Sequence, residues 1–560
     1  MTDSNASGAS KAVLAILSMA MFVYVIDTTL MNVSISALVE DLDTDVGAVQ
    51  GAITLYTLTM AAFMLTGGKL GDIWGSKRAF RIGLIIYATG TTITAFAPTL
   101  LWVVIGWSVL EGLGSALIVP AINTLVRANY GGSKRASAYG TLFGVAAAGA
   151  AFGPLVGGWV TTNYSWRLAF GVEAIIVVGV LASSGLLKDA PAVVPKPRLD
   201  RVGVLLSALG LGLVVFAILQ TTDRGWDDPL VIGMLATGMA TLVAFVWWIK
   251  RQEALGKPVL VHPSIFRHRP IMMGLPVLAT QTFAQAGLLF LVPVFTQSVL
   301  GFDAFETGLT LLPLSVGVLV TSMTTPQLGR IIYPRYIIQA GLALLFVGGV
   351  VLAQSLDGAT EGPDLAVGLL IGGIAIGLIA GQLPNMILSG ANPDEASEAS
   401  GLQGTAQNLG MALGTAIVGT VILSVGISSI SADVDDSSVI PDDLKEEISV
   451  TIETGLTEPA TETLAAELTD QPPEVQAAAQ EIFDDGTLRG FQGAILAGGI
   501  VALLGALAAF WLPRKKLEDD PEAGSDQLVE ETVRNSTLPG LQLEMKDLIS
   551  SQDVMLPKGT

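Results

Sequence analysis

Fourteen separate runs of about twenty apolar residues dominate the chain, each long enough to cross the hydrocarbon layer as a helix. They fall near 13–36, 49–67, 79–98, 100–124, 137–161, 167–187, 202–220, 229–249, 271–298, 305–326, 336–355, 364–389, 399–427 and 491–512. Composition agrees: 51% of the 560 residues are hydrophobic and only 14% are charged. Soluble domains carry about a quarter charged residues, so a water-exposed surface could not be covered and a soluble multidomain enzyme is excluded. The first run is long, lacks a small-residue cleavage site and holds Asp27 well inside it, which argues against a removed signal peptide.

The net charge of -20 is concentrated in two places. Residues 431–489 hold 16 acids against 2 bases, and residues 513–560 hold 10 against 6, leaving the remainder nearly neutral. If both termini are cytoplasmic, 25 of the 29 Lys and Arg lie inside and only Arg167, Arg224, Lys445 and Arg489 lie outside. That distribution follows the positive-inside rule and predicts a multi-pass protein of the plasma membrane. There is no cysteine, so disulfides and thiolate chemistry are absent.

The loop Gly68-Lys69-Leu70-Gly71-Asp72 through Arg78 has a weak counterpart in Gln327-Leu328-Gly329 through Arg335. Two related halves are a common transporter plan. The reading is a cytoplasmic N-terminus (1–12), a six-helix bundle (13–190), two extra linking helices (199–250), a cytoplasmic loop (251–270) and five helices of the second bundle (271–427). An acidic extracellular loop with helical segments at 442–455 and 474–483 (428–490), the last helix (491–512) and an acidic, disordered cytoplasmic tail (513–560) complete it.

An ionisable side chain in hydrocarbon is costly and therefore a functional suspect. Asp27, Glu111 and Glu173 lie within spans, and no Lys or Arg lies deep in any of them. Such a carboxyl can hold a proton in one state and attract a cation in another. The bland alternatives are a structural Asp27 bonded to Thr28 or Asn32, and a Glu173 paired with Arg167 near the outer surface. Asn32 is rotated about 140° from Asp27 at the helical period, whereas Ser108 and Glu111 share a face. Gln281 and Gln285, Gln382 and Asn385, and Gln403 and Gln407 are spaced to line a cavity from the second half, or else to bond between helices.

Three stretches carry a resemblance. Asp27-Thr28-Thr29-Leu30-Met31-Asn32-Val33 is similar to D-x-T-x-x-N-V, and Gly68 to Arg78 is similar to G-x-L-G-D-x-x-G-R-K, with Ser76 at the usual Arg. Gly149, Gly153, Pro154, Gly157 and Gly158 fit the fifth-helix antiporter pattern GxxxGPxxGG. The chain thus resembles the major facilitator superfamily, in its fourteen-helix drug:proton antiporter subfamily. The resemblance implies an all-α integral membrane protein of two six-helix bundles plus two linking helices, rocking about a central cavity. It also implies a cytoplasmic gate built from Gly68, Gly71, Asp72, Gly75, Lys77 and Arg78. Asp72 would cap the cytoplasmic end of a helix of the other half, the thirteenth span, and Lys77 and Arg78 would pair with inner-surface acids. Where the family has R-x-x-Q-G, this chain has Ser108-Val109-Leu110-Glu111-Gly112, which favours a two-carboxylate site of Asp27 and Glu111.

The implied function is proton-driven efflux of amphipathic, cationic compounds, with drug or antibiotic resistance as its outcome. The alternatives are export of an endogenous metabolite or lipid, or nutrient import, on the same fold, and a receptor or scaffold using the acidic loop. No phosphate-binding loop or nucleophile elbow is present, so energy must come from an ion gradient or from the substrate's own, and the resemblance implies a proton gradient rather than sodium. His262 and His268 are too few for a metal cluster. No cofactor, metal, nucleic acid or obligate protein partner is expected beyond substrate, protons and bilayer.

Overall fold

The computed structural model describes residues 2–130, 132–189, 198–357, 360–391, 395–445, 448 and 471–514. Among these residues every regular element is helical. The first bundle comprises α1 (Thr2–Val33), the short α2 (Ile35–Leu42), α3 (Val46–Trp74), α4 (Ser76–Ala95), α5 (Leu100–Asn129), α6 (Gly132–Asn163) and α7 (Trp166–Ser183). The linking pair is α8 (Arg201–Arg224) and α9 (Pro229–Ala254). The second bundle comprises α10 (Arg269–Ser298), α11 (Ala304–Thr310), α12 (Leu312–Ile331), α13 (Pro334–Gln354), α14 (Gly362–Ser389), α15 (Ala396–Asp436) and α16 (Pro473–Ala508).

Twelve helices among the described residues are long and apolar enough to span a membrane, and α11 with α12, bent by 45°, make a thirteenth. The one expected run left over, the third, at 79–98, falls on α4, whose first turns carry Lys77, Arg78 and Arg81 and which is not among the twelve. The expected span limits also need correction at the end of the chain. α15 runs to Asp436 and α16 begins at Pro473, well inside the segment read as a loop. The helix expected at 474–483 is therefore the first part of α16. Ile430, Val434, Leu444, Ile448 and Val475 form a small apolar core there, so helices outlast the lipid because they bury a face on each other. Most of the helix expected at 442–455, and all but the start of the C-terminal tail, lie outside the described residues.

Close approach explains the fifth-helix glycines. A Cβ at Gly157 would stand 2.9 Å from Leu30 Cγ on α1, and one at Gly153 would meet Thr29. Gly158 instead faces the second bundle, where a Cβ would lie 2.8 Å from the Ala304 carbonyl carbon. Gly308 reciprocates against the Pro154 carbonyl oxygen at 2.6 Å. The motif thus joins helix to helix within one bundle and bundle to bundle at the end expected to face outward. The linking helix α8 lies over the seam between halves, with Val215 packed against Leu58 of α3 and Ala412 of α15, while α9 buries little of its surface.

Candidate functional site

Between the bundles lies a cavity of about 500 Å³ lined from both halves. Asn32, Gln281, Gln285, Gln403 and Gln407 line its wall. Gln382 does not: its amide donates to the Thr325 carbonyl at 2.6 Å and serves helix packing. Asn385 is exposed and is not among the lining residues. Ser108 is buried and donates to the Ala52 carbonyl at 2.8 Å, tying α5 to α3.

The three intramembrane acids converge. One carboxylate oxygen from each of Asp27, Glu111 and Glu173 lies within 4.8 Å of the others, and the three side chains are 1%, 0% and 8% exposed. Among the described residues this is the one such set of acidic or histidine groups close enough to share an ion. Trp107 Nε1 donates to Asp27 at 2.9 Å, the Tyr87 hydroxyl donates to Glu173 at 2.5 Å, and the Thr94 hydroxyl reaches Glu111 at 3.5 Å. Asp27 Oδ2 and Glu111 Oε2 are buried without a hydrogen-bond partner. None of the ion pairs among the described residues involves these acids. Two full charges 4.8 Å apart repel by about 3.5 kcal/mol even at an effective dielectric of ~20. Three bare carboxylates are therefore unstable here unless protons or a cation accompany them.

Local backbone shape makes this convergence possible. From Val104 to Glu111, α5 widens to a π-helical pitch, a distortion frequent at functional sites. It follows from tight packing on α4, where a Cβ at Gly90 would stand 2.8 Å from Glu111 Cγ. Wider turns also separate Ser108 from the face it would share with Glu111 in a regular helix. Asp27 is bonded to neither Thr28 nor Asn32; those side chains donate to backbone carbonyls of α1. The alternative Arg167–Glu173 pair is not found among the described residues either. Arg167 instead pairs with Asp41 of α2, donates to the Ala97 carbonyl at 2.7 Å and stacks on Trp166, leaving Glu173 to the inner cluster.

A stacked pair separates the acids from the cavity. Tyr56 and Trp107 have ring centroids 4.6 Å apart and planes within 9°, and both line the cavity while the carboxylates do not. Sequence reasoning missed these aromatics because an aromatic residue in an apolar run carries no signal of its own.

At the other end of the cavity the gate loop meets the second bundle. Gly75 has φ +90°, and a Cβ there would lie 2.7 Å from Asp189, so only glycine suits this turn. Gly68 packs against Ser397, and Asp72 faces the same residue at the start of α15. There a carboxylate is favoured by the helix dipole. Gly71 is buried on the same stretch. The cation partners differ from expectation. Lys77 donates to the Gly185 and Leu187 carbonyls at 2.9 and 2.7 Å, capping the end of α7 in its own bundle, and Arg78 is exposed with no ion pair among the described residues. The bridge between halves is Lys69 to Glu398 at 3.1 Å, both nearly buried.

Both histidines gather at this latch. His262 donates its backbone N–H to Glu398 at 3.0 Å and places Nδ1 2.7 Å from the same carboxylate, and His268 lies 2.9 Å from Glu395. The hydrogen bond to Glu398 raises the His262 pKa, opposed by partial burial and nearby Lys69. A raised value means the protonated contact is fully present below the ordinary histidine range, about pH 6.5, and is lost as pH rises through the raised value. Amide hydrogen exchange over residues 257–268, corrected for intrinsic rates, is expected to be slower at pH 6 than at pH 8.5. His262→Gln should erase that difference.

The architecture and the two-sided cavity define a secondary transporter. The Major Facilitator Superfamily model matches residues 17–415, and the chain belongs to that family. It is a transporter of small molecules and not an enzyme. The probable actinorhodin transporter of Streptomyces coelicolor is 30% identical over 420 residues, covering 74% of this chain and 72% of that one. The tetracenomycin C resistance and export protein of Streptomyces glaucescens is 28% identical, covering 71% and 73%. A bacterial homologue of the lysosomal transporter Spinster, solved inward-facing and unoccupied, aligns with TM-score 0.59 at 16% identity over 90% of this chain and 98% of that one. That likeness concerns the fold alone.

Proposed function

We propose that this chain exports amphipathic compounds across the plasma membrane in exchange for protons, by alternating access, with both termini cytoplasmic. The observation that carries the reading is the buried cluster of Asp27, Glu111 and Glu173, joined to the cavity wall by the Trp107 hydrogen bond. Protonation of Asp27 changes what Trp107 bonds to, and Trp107 with Tyr56 shapes the wall against which substrate packs. Binding and proton occupancy then bias the same two-state equilibrium. The relatives named for antibiotic export and resistance support efflux as the direction. A cationic substrate could meet the carboxylates only when Tyr56 and Trp107 part.

Everted membrane vesicles with an acidified interior provide the test. Adding a panel of ethidium, puromycin and a neutral tetracyclic polyketide is expected to release protons with at least one compound, in step with its accumulation. Gradient-independent accumulation of every transported compound would refute proton exchange.

A further inference from the structure

We infer that the cavity selects uncharged molecules with an apolar framework and hydrogen-bond donors, and that the Tyr56–Trp107 pair enforces this by screening the carboxylates. The inference rests on the exporter reading and names its substrate class. No Asp, Glu, Lys, Arg or His is among the described residues lining the cavity. An ammonium group moved there from water would lose its hydration with no counter-charge, a large cost. What the wall offers is apolar surface, from residues such as Met64, Leu289 and Val318, and amide side chains from α10 and α15.

Two of those amides have unmet acceptors. Gln403 Oε1 and Asn408 Oδ1 are buried without a hydrogen-bond partner, and both residues line the cavity. Buried acceptors left unpaired are costly, and a ligand O–H or N–H satisfies them. The Asn408 amide nitrogen donates to the Gly404 carbonyl at 2.9 Å and the Tyr24 hydroxyl lies beside the same amide, while its oxygen is the acceptor without a partner. Gln281 donates to Gln285 at 2.6 Å, which fixes a further polar point on the facing helix. The stacked rings of Tyr56 and Trp107 add a flat surface suited to a planar, fused-ring framework. Their carboxylate neighbours are left to protons, because the rings stand between them and anything in the cavity.

Three probes sharing one core separate the possibilities: 2-(hydroxymethyl)anthraquinone, its methyl ether, and 2-(trimethylammoniomethyl)anthraquinone. Equilibrium dialysis of tritiated probes against the purified full-length protein in nanodiscs needs no gradient. The alcohol is expected to bind about tenfold or more tighter than the ether or the ammonium compound, a difference of one decade in Kd. Gln403→Leu and Asn408→Leu should each bring the alcohol down to the ether. Trp107→Ala should raise ammonium binding at least tenfold, while Trp107→Phe, which retains the ring, should not. An ammonium probe that binds the unaltered protein as tightly as the alcohol overturns the inference, as does an alcohol no better than its ether. The ranking in the unaltered protein decides this even if a variant fails to fold. Loss of proton exchange in vesicles with the ranking intact would instead overturn the exporter reading alone.

Discussion

Asp27→Asn and Glu111→Gln, made singly, are expected to lower gradient-driven efflux about tenfold or more while leaving substrate exchange between two drug-loaded sides within about threefold. Exchange requires only that the loaded cavity reorient, whereas under the proposed proton exchange net uphill efflux requires a proton to be carried back on each cycle. Asparagine keeps an oxygen that Trp107 can bond as it bonds Asp27 at 2.9 Å, so the cavity wall is preserved and only proton exchange is removed. Glutamine at position 111 retains volume in a site that packs tightly on Gly90. A decade in rate corresponds to about 1.4 kcal/mol, less than the repulsion of about 3.5 kcal/mol between charges 4.8 Å apart. Glu173→Gln, whose amide can still accept the Tyr87 hydrogen bond seen at 2.5 Å, tests the third acid in the same way. Measuring both reactions in the same reconstituted vesicles checks this. Equal loss of exchange and efflux would mean that the variants damage the cavity, and unchanged efflux in both would remove these acids from coupling.

The carboxylates were legible in the sequence because a charge inside an apolar run is conspicuous without any fold. Their grouping was only partly so. Asp27 and Glu111 could be placed together from the departure at the fourth helix, but Glu173 lies six residues after Arg167, and its place nearer the outer surface left a pairing of those two open. The partner that takes Arg167 is Asp41 on α2, a helix created by a break at Ser34, whose hydroxyl contacts Thr161 at 2.8 Å. No periodicity announces such a break. The wide turn ending at Glu111 is similarly invisible, since it results from packing against Gly90 and Thr94 on another helix. Lys69 is a different case. It stood in the gate loop in plain view, yet its partner lies 329 residues away, and only the packing of α3 along α15 brings them together.

That long-range pair sets up the second large effect. Glu398→Ala is expected to open the end of the cavity at the gate loop, cytoplasmic in the proposed orientation, more than Lys69→Ala, and both more than the double variant Lys69→Met/Glu398→Met. Removing one member of a buried ion pair typically costs about 3–5 kcal/mol, because the remaining charge is stranded, whereas replacing both by apolar groups is often neutral. The asymmetry between the single variants comes from the neighbours. Without Lys69, Glu398 keeps the His262 contacts at 3.0 and 2.7 Å. Without Glu398, Lys69 is left with Asp72, farther than the 3.1 Å of the original pair. A stranded charge regains water when the halves separate, so the cost appears as a shift toward the open arrangement. The absence of native cysteine makes this readable: a single Ser322→Cys, on the cavity wall, should react with a membrane-impermeant maleimide added from the cytoplasmic side. Its labelling rate is expected to rise tenfold or more in Glu398→Ala and to return to within about threefold of the parent in the double variant. Equal rates in all four proteins would show that Lys69 and Glu398 do not hold the halves together.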